Sequence, residues 1–165
     1  MSDAAAGAAW SSGDRFPTLV ARDLERTERS LPEAFTGTWN LVVVAFRRQH
    51  QALVDRWVAW HGEVAAERPG FECWEIPVIG AVWSPARSFI DGGMAQAVRE
   101  THARQHTLTA YTNVAKVAYA LDITDTGTVT TLLVDDTGRI RCRATGVPDD
   151  ASTAEVLATI DTPPA

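Results

Sequence analysis

The chain has 165 residues, which is enough for one domain with a buried core. Its hydrophobic content of 45% and charged content of 22% indicate a globular rather than a disordered protein. The formal net charge of −6 argues against general binding of nucleic acid. No apolar run approaches the roughly 20 residues of a transmembrane helix. The cysteines, Cys73 and Cys142, form no disulfide framework, so we expect a cytoplasmic protein.

The composition predicts one domain with short loose ends. Residues 1–14 are rich in Ala, Ser and Gly and lack the basic start and apolar core of a secretory signal, so we expect a flexible tail. No linker or internal repeat divides residues 15–161, which we assign to a single domain. Residues 162–165 contain two prolines and are expected to fray.

The first half of the chain predicts a hairpin, a buried strand and a helix. Residues 16–32 are expected to form a hairpin or short edge strands. The unbroken apolar run from Leu41 to Phe46 is typical of a strand buried on both faces. From about 49 to 67 the apolar residues recur at helical spacing, and Arg68-Pro69-Gly70 ends the helix.

Further elements follow in the middle of the chain. Residues 71–79 predict a second strand, and Pro77 places it at or near a sheet edge because proline cannot donate to the ladder. A second helical region is expected over about 83–98, and a short extended piece over 107–111. Thr112 or Asn113 is expected to cap a third helix.

The last third predicts two strands and a helix. Residues 129–134 and 139–144 flank an Asp-Asp-Thr-Gly turn that is typical of a hairpin. Alternation in the second strand places Ile140, Cys142 and Ala144 on one face and three arginines, Arg139, Arg141 and Arg143, on the other. This arginine stripe either protects an edge strand or docks an acidic protein. A final helix is expected to begin at Ser152 or Thr153.

The order of these elements and several short motifs resemble the thioredoxin/peroxiredoxin superfamily over residues 16–160. The motifs are Phe16-Pro17, Leu31-Pro32, Gly37, the run 41–46 and the stretch 131–140. Finer features resemble the redox-inactive branch typified by the mitochondrial ATP synthase assembly factor with a thioredoxin-like fold. Those features are Phe46-Arg47, Trp57, Tyr111-Thr112 and the hairpin 132–138 followed by 139–146.

The resemblance implies an α/β protein with a central mixed sheet flanked by helices. A parallel βαβ half precedes an antiparallel ββα half, and the strands lie in the order 71–79, 41–46, 129–135, 139–145. Cys73 and Cys142 would then be three strand spacings apart, roughly 14 Å. A disulfide needs Cα atoms within about 7 Å, so these cysteines are not expected to pair.

The chain departs from the superfamily at its redox site. Thioredoxins carry Cys-x-x-Cys at the first strand-to-helix junction and peroxiredoxins carry one reactive cysteine there, but residues 47–52 contain none. Thiolates perform both chemistries, and Arg, Gln and His cannot replace them. Val129 stands where the superfamily has a cis-proline, and we expect a trans bond there. We therefore assign no catalytic residue and no cofactor, and expect no thiol-disulfide oxidoreductase or peroxidase activity.

The equivalent of the redox cleft is the candidate binding site. It comprises six residues, Arg47, Arg48, Gln49, His50, Thr128 and Val129. Cations at a helix N-terminus oppose the macrodipole, which favours an anion or an acidic partner beside them. The alternative is that both arginines are solvated or pair with Asp55 and nearby carboxylates.

Two functions follow as hypotheses. The first is a non-catalytic module that binds a protein partner, such as an assembly factor or chaperone. A homodimer is one possible form of this interaction. The second is an enzyme or binding protein for a small anionic or thiol substrate, with Arg47, Arg48 and His50 in the cleft. No metal is expected, because His102 and His106 have no third ligand at suitable spacing. Trp10 and Trp83 are candidate interface residues.

Overall fold

The computed structural model describes residues 15–79 and 106–162. Several predictions therefore lie outside the described residues, namely the tail 1–14, Trp10, the helical region 83–98, His102 and residues 163–165. Within the described ranges, every helix is too short or too polar to cross a bilayer.

Seven strands and three α-helices are present in the described part of the chain. In order they are β1 (Leu19–Arg22), β2 (Glu28–Leu31), β3 (Trp39–Ala45), α1 (Gln51–Val64), β4 (Phe71–Ile79), β5 (Ala110–Tyr111), α2 (Val114–Ala120), β6 (Thr130–Asp135), β7 (Ile140–Thr145) and α3 (Asp150–Asp161). Short 3₁₀ turns, Arg48–His50 and Ala65–Glu67, precede and follow α1.

Strand β3 is the centre of a mixed five-stranded sheet. The strand order is β5-β4-β3-β6-β7, with β3 parallel to β4 and antiparallel to β6. Strands β1 and β2 form a separate antiparallel hairpin. The sequence prediction of a central strand with a parallel neighbour on one side and an antiparallel neighbour on the other is confirmed.

The apolar run of β3 is central because both of its faces are covered. Val42 and Val44 pack in a cluster with residues of the β1–β2 hairpin and α2, whereas Leu41 and Val43 pack in a second cluster with α1 and α3. All four side chains are fully buried. A strand with no polar face is stable only in such a position, because an exposed face would leave apolar surface in water.

Pro77 lies near the sheet edge, as predicted. The N–H of Glu75 donates to the carbonyl of His106 at 2.9 Å, so that side of β4 faces the segment leading into β5. Backbone directions alternate along a strand, and the nitrogen of Pro77 faces the same way. The proline thus removes one bond from the weakly paired edge and leaves the ladder with β3 intact.

A β-bulge in β7 corrects the prediction that Ile140 shares a face with Cys142 and Ala144. Cys142 lies opposite Leu133 but Ile140 lies opposite Val134, so Arg141 is an extra residue in the ladder. Ile140 consequently packs in the hairpin-side cluster, whereas Cys142 and Ala144 pack on the α1 side. One inserted residue reverses the alternation, so the arginines do not form a single regular stripe.

Asn40 joins three strands inside the core. Its Oδ1 accepts hydrogen bonds from the Gly37 N–H at 2.9 Å and the Trp74 indole N–H at 3.0 Å. Its Nδ2 donates to the carbonyls of Gly37 at 2.9 Å and Val134 at 3.3 Å. A Cβ on Gly37 would lie only 2.6 Å from the Trp39 carbonyl oxygen, so the turn feeding β3 requires glycine.

We predict that Asn40→Ala lowers the free energy of unfolding by about 2 to 4 kcal/mol, because buried donors on Gly37 and Trp74 lose their acceptor. Urea unfolding at pH 7 measures the change. The control Asn113→Ala removes an exposed cap that accepts from the Lys116 N–H at 3.2 Å and should cost about 1 kcal/mol. Equal losses in the two variants would contradict a special role for Asn40.

Candidate functional site

The junction between β3 and α1 presents three exposed polar residues. Arg47 is extended, with φ −144° and ψ 150°, and its carbonyl accepts from the His50 N–H at 3.0 Å to close a 3₁₀ turn. The side chains of Arg47, Arg48 and Gln49 are exposed. This turn directs the two guanidinium groups to solvent at the N-terminal end of α1.

His50 is buried, unlike its three predecessors. Its side chain is 3% exposed, and Nδ1 accepts from the Phe46 N–H at 3.2 Å. When the ring is neutral, an accepting Nδ1 places the proton on Nε2. Nε2 is buried and has no hydrogen-bond partner in the described structure. An unsatisfied buried donor costs free energy, and such groups are rare in native folds.

The predicted partner segment, Thr128-Val129, lies at the same end of the sheet. Val44 lies opposite Thr130 in the antiparallel ladder, so the next pair in the same register places Val129 beside Ala45. Both residues pack in the α1-side cluster. The Val129 carbonyl accepts from the Gly146 N–H at 2.9 Å. Among the described residues, the only cis peptide bond is Leu31–Pro32. The bond before Val129 is therefore trans, as expected.

No described residue neutralises Arg47 or Arg48 through an ion pair. Neither forms an ion pair with a described residue, and the first turn of α1 contains no acidic residue. Asp55, the partner suggested by the alternative prediction, instead accepts from the Gln51 amide at 2.8 Å. Two positive charges therefore lie against the positive end of the helix dipole, which leaves an electrostatic preference for an anionic group.

Glu75 adds a carboxyl group that the sequence analysis missed. It lies on β4, and the Gln51 amide that donates to Asp55 also approaches Glu75 Oε1 at 3.4 Å. Burial raises the pKa of Glu75, with a further increase from Asp55, while hydrogen bonds from Gln51 and Thr107 lower it. The sequence feature that could have identified Glu75 was its position in strand 71–79, where it shares a face with Cys73.

Neither cysteine is close to the junction or to the other cysteine. The register places Cys73 opposite Leu41, Leu41 opposite Leu133 and Leu133 opposite Cys142, so three strand spacings separate the thiols. Both are free, which confirms the predicted lack of pairing. Burial, followed by Glu75 and Glu72, raises the pKa of Cys73, and burial with Glu155 raises the pKa of Cys142 to about 11.

The described residues include no group of three His, Cys, Asp or Glu side chains arranged to hold a metal. His106, one of the two histidines weighed as ligands, instead has its Nε2 at 3.1 Å from Glu72 Oε1. Its ring stacks on Trp74 with centroids 3.9 Å apart. His106 thus packs against the face of β4 that carries Trp74, which is the hairpin side of the sheet.

Solved structures share this architecture. A thioredoxin domain of a thiol-disulfide oxidoreductase from Bacteroides vulgatus is 17% identical with a TM-score of 0.62, and the match covers 93% of this chain and 100% of that one. The thiol:disulfide interchange protein DsbE from Chlorobium tepidum is 14% identical with a TM-score of 0.60, and the match covers 92% of this chain and 99% of that one. BsSco, of the Sco family of cytochrome c oxidase assembly proteins, is 12% identical with a TM-score of 0.64, and the match covers 92% of this chain and 96% of that one.

No protein-family model and no curated protein matches the sequence. At these identities the likeness shows the fold and not the chemistry. The protein has the thioredoxin-like fold, an α/β architecture with a mixed five-stranded sheet flanked by helices.

We predict that Glu75→Gln stabilises the protein at neutral pH. The folded-state pKa of Glu75 lies above its ordinary value of 4.5, so its contribution to folding is most favourable below pH 4.5 and is lost as the pH rises through the folded pKa. The variant removes that loss. Urea midpoints measured from pH 4 to 8 should be higher for Glu75→Gln at pH 7 and should converge with wild type at low pH.

The matched control for this prediction is Glu63→Gln, which neutralises an exposed carboxylate on α1. Its free energy of unfolding should match that of the wild type within about 0.5 kcal/mol at every pH. A Glu75→Gln variant that is less stable than wild type at pH 7 would contradict the unfavourable burial of the Glu75 charge.

Proposed function

We propose that this protein is a non-catalytic thioredoxin-like module that binds a protein partner, as an assembly factor or chaperone would. The observation that carries the proposal is the β3–α1 junction. In thioredoxins and peroxiredoxins this junction bears the reactive cysteine, whereas here it bears Arg47, Arg48, Gln49 and buried His50. Thr128 and Val129 complete the proposed binding cleft.

The state of the two cysteines supports the lack of thiol chemistry. A thiol attacks a disulfide or a peroxide only as its thiolate. Burial raises the pKa of both Cys73 and Cys142, so both are protonated at neutral pH. They are also held on opposite outer halves of the sheet, where no second thiol is available to resolve a mixed disulfide.

The charges at the junction favour an acidic partner surface. Arg47 and Arg48 are exposed, lack ion pairs among the described residues and lie at the positive end of α1. Carboxylates of a partner could pair with both guanidinium groups and offset the dipole. Arginine is also enriched at the centres of protein interfaces. We place the protein in the cytoplasm. The partner is either a different protein or a second copy of this chain.

An assembly role is known for one neighbour with this fold, BsSco. That protein is described as a member of a family of cytochrome c oxidase assembly proteins. The likeness carries the fold alone, so the assembly role of the present chain rests on the junction residues.

The second candidate function is binding of a small anion or thiol substrate in the same cleft. The observation that favours it is the Nε2 donor of His50, which is buried and lacks a partner in the described structure. An anion entering between the two arginines and His50 would satisfy this donor. Catalysis would then use His50 for proton transfer.

We predict that the protein has no thiol redox activity. Insulin reduction with dithiothreitol, and consumption of hydrogen peroxide, should equal the rates without protein, because no low-pKa thiol is present at the junction. A thioredoxin and a peroxiredoxin are the positive controls. Turnover above background that disappears in Cys73→Ser or Cys142→Ser would show that the reactive thiol has moved to another part of the fold.

We also predict that a native partner depends on the junction charges. The tagged chain, expressed in its source cells, should retain a partner that Arg47→Glu and Arg48→Glu each lose at least tenfold, because the charge reversal repels acidic groups. Arg56→Glu makes the same change on the exposed side of α1 and is the matched control. If all three variants keep the partner, the binding site lies elsewhere.

Calorimetric titration with phosphate and with glutathione separates the second candidate from the first. Binding of either ligand that Arg47→Glu abolishes, in a protein that retains no macromolecular partner, would favour the small-molecule site. Binding of neither ligand, together with a charge-dependent protein partner, would favour the protein-binding module.

A further inference from the structure

A groove opens on the opposite flank of the domain from β7, between the hairpin, the end of β5 and α2. Its volume is about 340 Å³. The residues that line it include Leu19, Val20, Tyr111, Lys116, Val117 and Ala120. None of the six proposed cleft residues contributes to it, so this surface is separate from the Arg47 junction.

The groove begins where strand pairing stops. Arg22 and Thr109 exchange two backbone hydrogen bonds, at 2.9 and 2.8 Å, which join β1 to the segment leading into β5. Backbone groups alternate in direction along a strand, so the N–H and C=O of Val20 face the same side as those of Arg22. The bridge to that segment does not extend to Val20, and its backbone groups face the groove.

An exposed strand edge of this kind can pair with another extended chain. Main-chain hydrogen bonds supply affinity in strand addition, and alternate side chains supply specificity. The side chain of Val20 is itself 53% exposed, although valine is normally buried in a sheet. The apolar walls from Val117 and Ala120 provide a surface for a neighbouring aliphatic side chain.

The charge of the groove specifies the occupant further. Among the described residues that line the groove, Lys116 is the only charged one, and it is the only lysine in the sequence. Its side chain is exposed, and it makes no ion pair with any residue in 15–79 or 106–162. A chain with a net charge of −6 thus presents a positive charge, without an ion pair among the described residues, beside the strand edge at Val20. Such a site complements a carboxylate.

We propose that this groove binds an extended peptide segment of a partner protein, which pairs with the backbone of Val20 and places an Asp or Glu side chain against Lys116. The inference does not depend on the junction, because it uses different residues and a different edge of the fold. It specifies the recognised chemistry as a β-strand with alternating apolar side chains and one carboxylate.

The test uses a blocked pentapeptide of alternating valine and threonine with a central glutamate. The uniformly ¹⁵N-labelled chain is titrated with it, and reductive ¹³C-methylation adds a signal at Lys116 while keeping the charge. Since there is one lysine, the N-terminal amine gives the only other methylated signal and serves as reference. We expect saturable shifts of the Val20 amide and of the Lys116 signal, with no change at His50.

Two control peptides separate the contributions. A central glutamine in place of glutamate should weaken binding roughly two- to fivefold, the usual range for an exposed ion pair. N-methylation of the central backbone nitrogens should abolish the Val20 shift, because the peptide can no longer donate to the strand edge. An N-methylated peptide that still shifts Val20 would overturn strand pairing.

Four protein variants, two at Lys116 and two at Val20, complete the test. Lys116→Gln should bind the glutamate and glutamine peptides equally, whereas Lys116→Arg should keep the preference. Val20→Pro removes the N–H that faces the groove and should therefore lose peptide binding. This N–H is not used in pairing with β2, because the residues of β1 that bond to β2 are Leu19 and Ala21. Val20→Ala keeps the N–H and should bind normally. The ¹⁵N spectrum reports whether each variant is folded.

The remaining outcomes contradict the inference. Absence of saturable shifts for folded wild type would overturn it, as would shifts confined to the Arg47–His50 segment. Groove shifts that grow with protein concentration in the absence of peptide would identify a second copy as the occupant and would also overturn it. None of these groove results tests the junction, whose proposed function stands or fails on the Arg47→Glu experiment.

Discussion

The buried amide of Asn40 holds the centre of this fold together. Its two ends bond the turn at Gly37, the indole of Trp74 on β4 and the carbonyl of Val134 on β6. A polar group with no exposure is stable only when its donors and acceptors are paired, so the three strands must keep one relative position. The apolar run after Asn40 can then be covered on both faces without losing its register.

A strand covered on both faces concentrates polar chemistry at its end. From Leu41 to Val44, β3 has no exposed side chain, and the first exposed groups follow at Arg47 and Arg48. The β3–β6 register brings Val129 to the same end. The location of the candidate site is therefore a consequence of the sheet, whereas its character depends on which residues occupy the junction. Arginines there favour recognition of anions. The buried Nε2 of His50 has no hydrogen-bond partner in the described part of the chain, which costs stability that binding could recover.

The resemblance to the thioredoxin superfamily predicted the strand order. The lack of a polar face in Leu41–Phe46 and the position of Pro77 independently favoured a central strand and a strand near the edge. Sequence patterns did not predict Asn40, since a single amide beside an apolar run resembles the end of a strand. The bulge at Arg141 was also missed, because a one-residue insertion changes the register without changing local composition. The raised pKa of Glu75 depends on packing against α1 and residue 107, and such contacts between distant segments leave no periodic signal.

The central claim, that this thioredoxin-like domain keeps no reactive thiol, is tested most directly by the alkylation rates of Cys73 and Cys142 with iodoacetamide at pH 7. Peptide mapping assigns each rate in the native protein and in urea. We expect both cysteines to react at least about tenfold more slowly in the native protein, because Cys142 is buried, Cys73 is half-buried and the raised pKa keeps each thiol protonated. A cysteine that reacts faster in the native protein than in the unfolded chain would contradict it.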